Sequence, residues 1–197
     1  MRAVRHIRRE DVPGALAISL VELGSDYLSE RDFLDAIDSD SQFCIVSEDD
    51  GRITGFGICR VFGPSEEPEV LGLPDCPERE IVLSHDLCGI IDSVSVDDSV
   101  KGTGAGSAIV EECRRELASR GCTLTCAMAW RSVSGRTNIA GILKRLGMRE
   151  SVAIEGYWNG MVDSPEGHHC PECGAPCRCH GVFWYMESRF PHTSFLG

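Results

Sequence analysis

The segment spanning residues 91–110, Ile-Asp-Ser-Val-Ser-Val-Asp-Asp-Ser-Val-Lys-Gly-Thr-Gly-Ala-Gly-Ser-Ala-Ile-Val, restricts the fold more than any other part of the chain. An apolar run ends at Val96, and glycines at 102, 104 and 106 lead into a helical pattern. A buried strand that feeds an amphipathic helix through a glycine-rich turn belongs to an α/β sheet. The glycines let the backbone approach a ligand closely. The helix start adds unpaired N–H donors and the positive end of a dipole, so a phosphate or pyrophosphate is the natural guest. Lys101 stands where a point charge assists.

Hydrophobic spacing organises the rest of the chain. Residues 3–8 read as a strand and 10–23 as a helix, with Pro13 tolerated in its opening turn. Residues 30–38 repeat helical spacing through Phe33, Leu34 and Ile37. Residues 42–47 and 52–62 flank Glu48-Asp-Asp-Gly51, a hairpin signal with Asp-Gly as the turn. Residues 63–86, with four prolines, read as a long surface excursion carrying a strand fragment at 81–83. Strands follow at 88–96, 122–130, 148–158 and 182–188, and helices at 104–120 and 138–146, the latter ended by Gly147. The expectation is one α/β domain with a mixed central sheet flanked by helices. Residues 1–158 would form its core; residues 159–197 would hold a cysteine-rich insertion and the last core strand.

Charge narrows the partners. Residues 1–100 hold eight basic against 22 acidic side chains, residues 101–197 eleven against nine. Nucleic-acid binding rests on Lys and Arg neutralising phosphates, so none is expected. The acidic half is either a solvated surface that aids solubility or a face for a cationic partner. The longest apolar run, residues 15–21, stops at Glu22, short of the roughly 18–20 residues a span needs, and the N-terminus lacks a secretory apolar core. A cytoplasmic protein without membrane contact is expected.

Three anion sites use loops of this kind. A Walker-type loop needs Gly-Lys followed by Ser or Thr, which does not occur here. A dinucleotide loop needs a third glycine where Ser107 stands and an acid at the end of the next strand, which has none. The pyrophosphate loop for coenzyme A, [R/Q/K]-x-x-G-x-[G/A], fits Lys101-Gly-Thr-Gly-Ala-Gly106 without a gap. Together with Val94-x-Val96 upstream and Ile139-x-x-Ile142-Leu143-x-x-Leu146-Gly147-Met148 downstream, the sequence resembles the GNAT superfamily of acetyl-CoA-dependent N-acyltransferases. The resemblance covers residues 3–158 in element order and is sharpest over 88–148.

That resemblance implies a co-substrate, acetyl-CoA, and an amine acceptor that enters from the acidic half. The backbone of Val94, Ser95 and Val96 would bind the pantetheine arm and acetyl carbonyl. Backbone N–H groups of Gly102, Thr103, Gly104, Ala105, Gly106 and Ser107, beside Lys101, would hold the pyrophosphate. Asn138 and Arg136 would reach cofactor groups. A protonated amine cannot attack, so a base is required. Asp92, an acid in an apolar strand, is the candidate, unless it is a rim residue paired with an arginine; His85 and Asp86 are runners-up. The tyrosine that serves as acid in many family members is here Leu143; either the thiolate leaves without a dedicated acid, a distant residue such as Tyr157 or Tyr185 substitutes, or transfer is impaired. Leu143 also favours the alternative of a non-catalytic acyl-CoA sensor or a zinc-stapled interaction module.

Eleven cysteines without an export signal do not form a disulfide framework. Seven are scattered among aliphatic residues and read as small buried hydrophobes. Four, Cys170, Cys173, Cys177 and Cys179, fall within ten residues. Cys170-Pro-Glu-Cys173-Gly is a zinc-knuckle form, and Cys177-x-Cys179 supplies two further thiolates for a closed tetrahedral site. His168, His169 and His180 are substitutes for one thiol, and an iron–sulfur cluster, a redox dithiol pair or inert loop thiols are the rival readings. A cationic amine acceptor is expected, and a homodimer is left open.

Overall fold

The computed structural model describes residues 2–25, 27–162 and 165–187. Seven strands form one sheet in the order β1-β2-β3-β4-β5-β7-β6. These are β1 (Arg2–His6), β2 (Gln42–Asp49), β3 (Arg52–Phe62), β4 (Cys88–Val96), β5 (Leu124–Arg131), β6 (Arg149–Glu155) and β7 (His180–Glu187). All neighbouring pairs are antiparallel except β4–β5. Parallel neighbours need a crossover, and α5 (Ala105–Ser119) supplies it. The mixed sheet expected from the sequence is what the chain forms. Ser188, the end of the last expected strand, lies outside the described residues.

The β2–β3 hairpin turns on Asp50 and Gly51, both at positive φ (49° and 82°), as a two-residue turn that matches strand twist requires. Alternation along β2 then assigns the faces. Phe43 and Ile45 pack with Ile109, Val110, Cys113 and Leu117 of α5. Cys44 and Val46 pack on the other face with α1 (Val12–Glu22) and α2 (Glu30–Asp38), where Phe33 meets Phe56 edge-on at 5.1 Å. Gly57 allows α5 its close approach, because a Cβ there would stand 2.8 Å from Ile109 and 2.9 Å from the Cys113 sulfur. Six of the seven scattered cysteines are buried, and Cys76 is half-buried.

The excursion after β3 differs from its sequence reading. It contains α3 (Glu67–Val70) and α4 (Pro77–Leu83), so residues 81–83 are the last turn of a helix, not a strand. Pro77 starts α4, where its missing N–H costs nothing. Glu67 ties the segment together: its fully buried carboxylate accepts from Leu73 N–H at 2.9 Å and from Arg79 Nε at 2.7 Å. The element expected at 148–158 also splits, into β6 and a 3-10 turn at Tyr157–Met161.

Candidate active site and metal centre

β4 and β5 stay paired only as far as Ile91 opposite Ala127. Beyond that point β4 follows β3 to Val96, β5 follows β7 to Arg131, and the two strands part. The local cause is in the register: Ile91 and Ser93 oppose consecutive residues Cys59 and Ile58, so Asp92 is an extra residue on β4. Such a bulge bends its strand and re-aims side chains. The gap is a cavity of about 240 Å³ with Asp92–Val96 on one wall and 127–130 on the other. Backbone groups of β4 that face the gap have no ladder partner on β5, which leaves them for a ligand.

The glycine loop closes one end. Gly102 and Gly104 have φ of 78° and 89°, and a Cβ at either would meet nothing within 4 Å, so backbone conformation and not crowding requires glycine there. Gly104 caps α5, and Ala105 is its first, buried residue. Lys101, Gly106 and Asn138 all line the cavity. Lys101 Nζ pairs with Glu22 at 2.7 Å and Asp98 at 2.6 Å, which holds its pKa above the ordinary lysine value. The Thr103 hydroxyl accepts from Arg2 at 2.8 Å, and the Ser107 hydroxyl from Arg145 at 3.1 Å. Arg136 instead donates to Ser134 at 3.4 Å and does not line the cavity. Arg145, which no sequence motif marks, places a guanidinium on the first turn of α5.

Asp92 lines the cavity, and Ser93 Oγ donates to its carboxylate at 3.2 Å. Desolvation raises its pKa above the usual carboxylate value; the Ser93 hydrogen bond and the charge of Arg60 oppose that only in part. Tyr27 shares this wall, its phenol pushed up by burial and by the Asp92 charge. Tyr27 has no motif to announce it, since the connection between α1 and α2 and not a strand carries it there. His85 is not brought to the site: it bonds Thr123 Oγ1 at 2.9 Å, beside the start of β5, whereas the cavity lies along that strand's far half. Leu143 is buried in the core beneath α5. Tyr157 spends its hydroxyl on Leu71 O at 2.8 Å, and Tyr185 lies under the Arg149 guanidinium at 4.8 Å; neither lines the cavity.

The remaining wall comes from the segment between β6 and β7, through Trp158, His168 and Pro171. In that segment the sulfurs of Cys170, Cys173, Cys177 and Cys179 all lie within 4.8 Å of one another. Their separations are 3.8 Å for 170–179, 3.9 Å for 173–177 and 3.7 Å for 173–179. A tetrahedron of Zn–S bonds of about 2.3 Å has edges of about 3.8 Å, so the four sulfurs fit a zinc ion. Gly174, at φ 75°, turns the chain, and the Arg178 N–H points at the Cys173 sulfur at 3.2 Å. None of the three histidines is part of this cluster.

A seven-stranded mixed sheet split between its parallel pair, with a glycine loop at a helix start beside the split, defines the class of acetyltransferase folds. The chain matches the model of the GNAT acetyltransferase family over residues 2–136, and it belongs to that family. No curated protein matches its sequence. Its fold resembles the ribosomal-protein-S18-alanine N-acetyltransferase of Escherichia coli (TM-score 0.66, 15% identity, 100% of both chains). It also resembles Arabidopsis thaliana NAA60 in complex with acetyl-CoA (0.67, 11%, 95% and 98%) and the polyamine N-acetyltransferase of Drosophila melanogaster (0.64, 13%, 95% and 100%).

Proposed function

We propose that the protein transfers an acetyl group from acetyl-CoA to a primary amine by direct attack. The observation that carries this reading is the placement of Asp92, a carboxylate of raised pKa, on the wall of the split between β4 and β5. The pantetheine arm lies along the unpaired backbone of Val94, Ser95 and Val96, and the pyrophosphate on the N–H groups of residues 102–107. Arg145 offsets its charge, and Lys101 does so by exchanging its Glu22 and Asp98 partners for phosphate oxygens. Asn138, on the cavity wall, contacts the cofactor.

The amine meets the acetyl carbon at the Asp92 end. Its lone pair forms the C–N bond, and Asp92 accepts the amine proton directly or through water. The tetrahedral intermediate then breaks its C–S bond, and the departing thiolate takes a proton from the Tyr27 hydroxyl. The phenol is protonated at neutral pH and so has a proton to give, but the burial that raises its pKa also makes it a weaker acid, so its claim to the role rests on its place on the cavity wall. Among the titratable groups on the cavity wall, the carboxylates Asp92 and Glu22 face one ammonium, Lys101, and Glu22 is already paired with it. This balance supports a cationic acceptor. The cysteine cluster holds a structural zinc.

Leu143 at the position of the familiar acid favours a second reading, an acyl-CoA sensor without turnover. Initial rates over a grid of acetyl-CoA and amine concentrations test the proposal. Intersecting double-reciprocal lines are expected. Parallel lines would replace direct attack with a covalent acetyl-enzyme, and CoA binding without turnover would favour the sensor.

A further inference from the structure

The cysteine cluster and the cavity are contiguous. His168, two residues before the first cysteine, and Pro171, the residue after it, both line the cavity. His168 is buried, with its ring 5.6 Å from that of Tyr27. One side chain ties this wall to the cluster. Asn159 Oδ1 accepts from His168 N–H at 3.1 Å and from Cys177 N–H at 2.8 Å, while its Nδ2 donates to Cys177 O at 2.8 Å. Next to it, Gly167 sits at φ 77°, and a Cβ there would fall 2.5 Å from Asn159 Oδ1. On the other side of His168, its carbonyl accepts from Cys170 N–H at 3.0 Å. His168 is therefore held between the backbones of two of the four sulfur donors. Among the described residues, the side-chain hydrogen bonds and ion pairs that residues 101–107 make with other segments run to Arg2, Glu22, Asp98 and Arg145, and none runs to the cluster.

We propose that the zinc knuckle is the acceptor-side wall of the cavity and that Asn159 is the positioning residue that transmits its geometry to His168. Metal loading then sets amine binding and leaves acyl-CoA binding unchanged. The inference rests on the acetyltransferase reading and names a metal-dependent determinant of its acceptor site.

The test uses the full chain in three parts. Zinc is first titrated into chelator-treated protein while tryptophan fluorescence is followed, because Trp130 and Trp158 both line the cavity. A change that saturates at one equivalent is expected, with CoA affinity by calorimetry constant within about twofold. Asn159→Ala and His168→Ala, which keep all four cysteines, are then compared with the parent for zinc content, CoA affinity and kinetics. The acceptor probes are agmatine, spermidine and a peptide with an N-terminal alanine. Loss of three directed hydrogen bonds in Asn159→Ala is expected to raise the acceptor KM about tenfold, with zinc content unchanged and kcat changed less than KM. An unchanged acceptor KM, or a CoA affinity that falls by the same factor, overturns the inference while acetyl transfer stands. A parent protein that binds CoA but acetylates none of the probes overturns both.

Discussion

Replacing Asp92 by Asn keeps the shape of the side chain and removes its ability to take a proton. The carboxylate lies in a cavity walled mainly by β4 and β5, with Ser93 as its hydrogen-bond donor. A single general base contributes about 10²- to 10⁴-fold, so the variant is expected to lose about 2.7–5.5 kcal/mol of barrier lowering. CoA affinity, which rests on the glycine loop, should change little. Released CoA is best followed by chromatography, because the protein's own thiols react with thiol reagents. Stability moves the opposite way. Burial raises the folded pKa of Asp92 above its unfolded value, so the folded state binds more protons between the two. The favourable difference is complete below the unfolded pKa and is lost as pH rises through the folded one. Asp92→Asn should therefore gain thermal stability relative to the parent at pH 7, and the gain should vanish toward pH 4. A variant that keeps more than half of the parental kcat, or one that melts earlier at neutral pH, would refute the assignment.

Three further outcomes follow from other parts of the molecule. Gly104→Ala forces a left-handed backbone on an L-residue at about 1–2 kcal/mol, so calorimetry should show CoA binding weakened about tenfold with the acceptor KM unmoved. Elemental analysis should find one zinc per chain, and chelation should raise hydrogen exchange over residues 165–180 while α5 stays protected; iron in place of zinc would contradict the zinc assignment, and no metal would contradict a metal site at these four sulfurs. Asp11, held below the usual carboxylate range by Arg5 at 2.6 and 3.0 Å and by the Arg8 N–H at 2.7 Å, adds stability above its unfolded pKa that is lost as pH falls through the folded one. Asp11→Asn should cost about 1.5–3 kcal/mol in urea melts at pH 7 and much less near pH 2.

Local patterns carried most of the fold. The β2–β3 turn and the strand-loop-helix at residues 88–119 were legible because turn chemistry and apolar period act within a few residues. The three apolar residues at 81–83 were not, since so short a run suits a strand or a helix turn equally and Pro77 decided for the helix. Nor did order along the chain reveal that β7 inserts between β5 and β6. The site divides in the same way. The glycine loop and the cysteine spacing are contiguous in sequence, and so is Asp92 with the strand that bends at it. Tyr27, Trp158 and His168 converge only in space, from connections with no periodic signal, and the sequence could not assemble that wall. His85 drew notice as a histidine at the end of a long loop, yet topology sends it to the wrong end of β5.

The most direct measurement of the central claim is product stoichiometry. Purified protein is mixed with acetyl-CoA and each amine of a cationic and an anionic series, and free CoA and acetylated amine are quantified together by mass spectrometry. One CoA for each acetylated amine, with cationic amines preferred and turnover lost in Asp92→Asn, is the expected result. CoA bound without release, or acetyl groups accumulating on the protein itself, would contradict it.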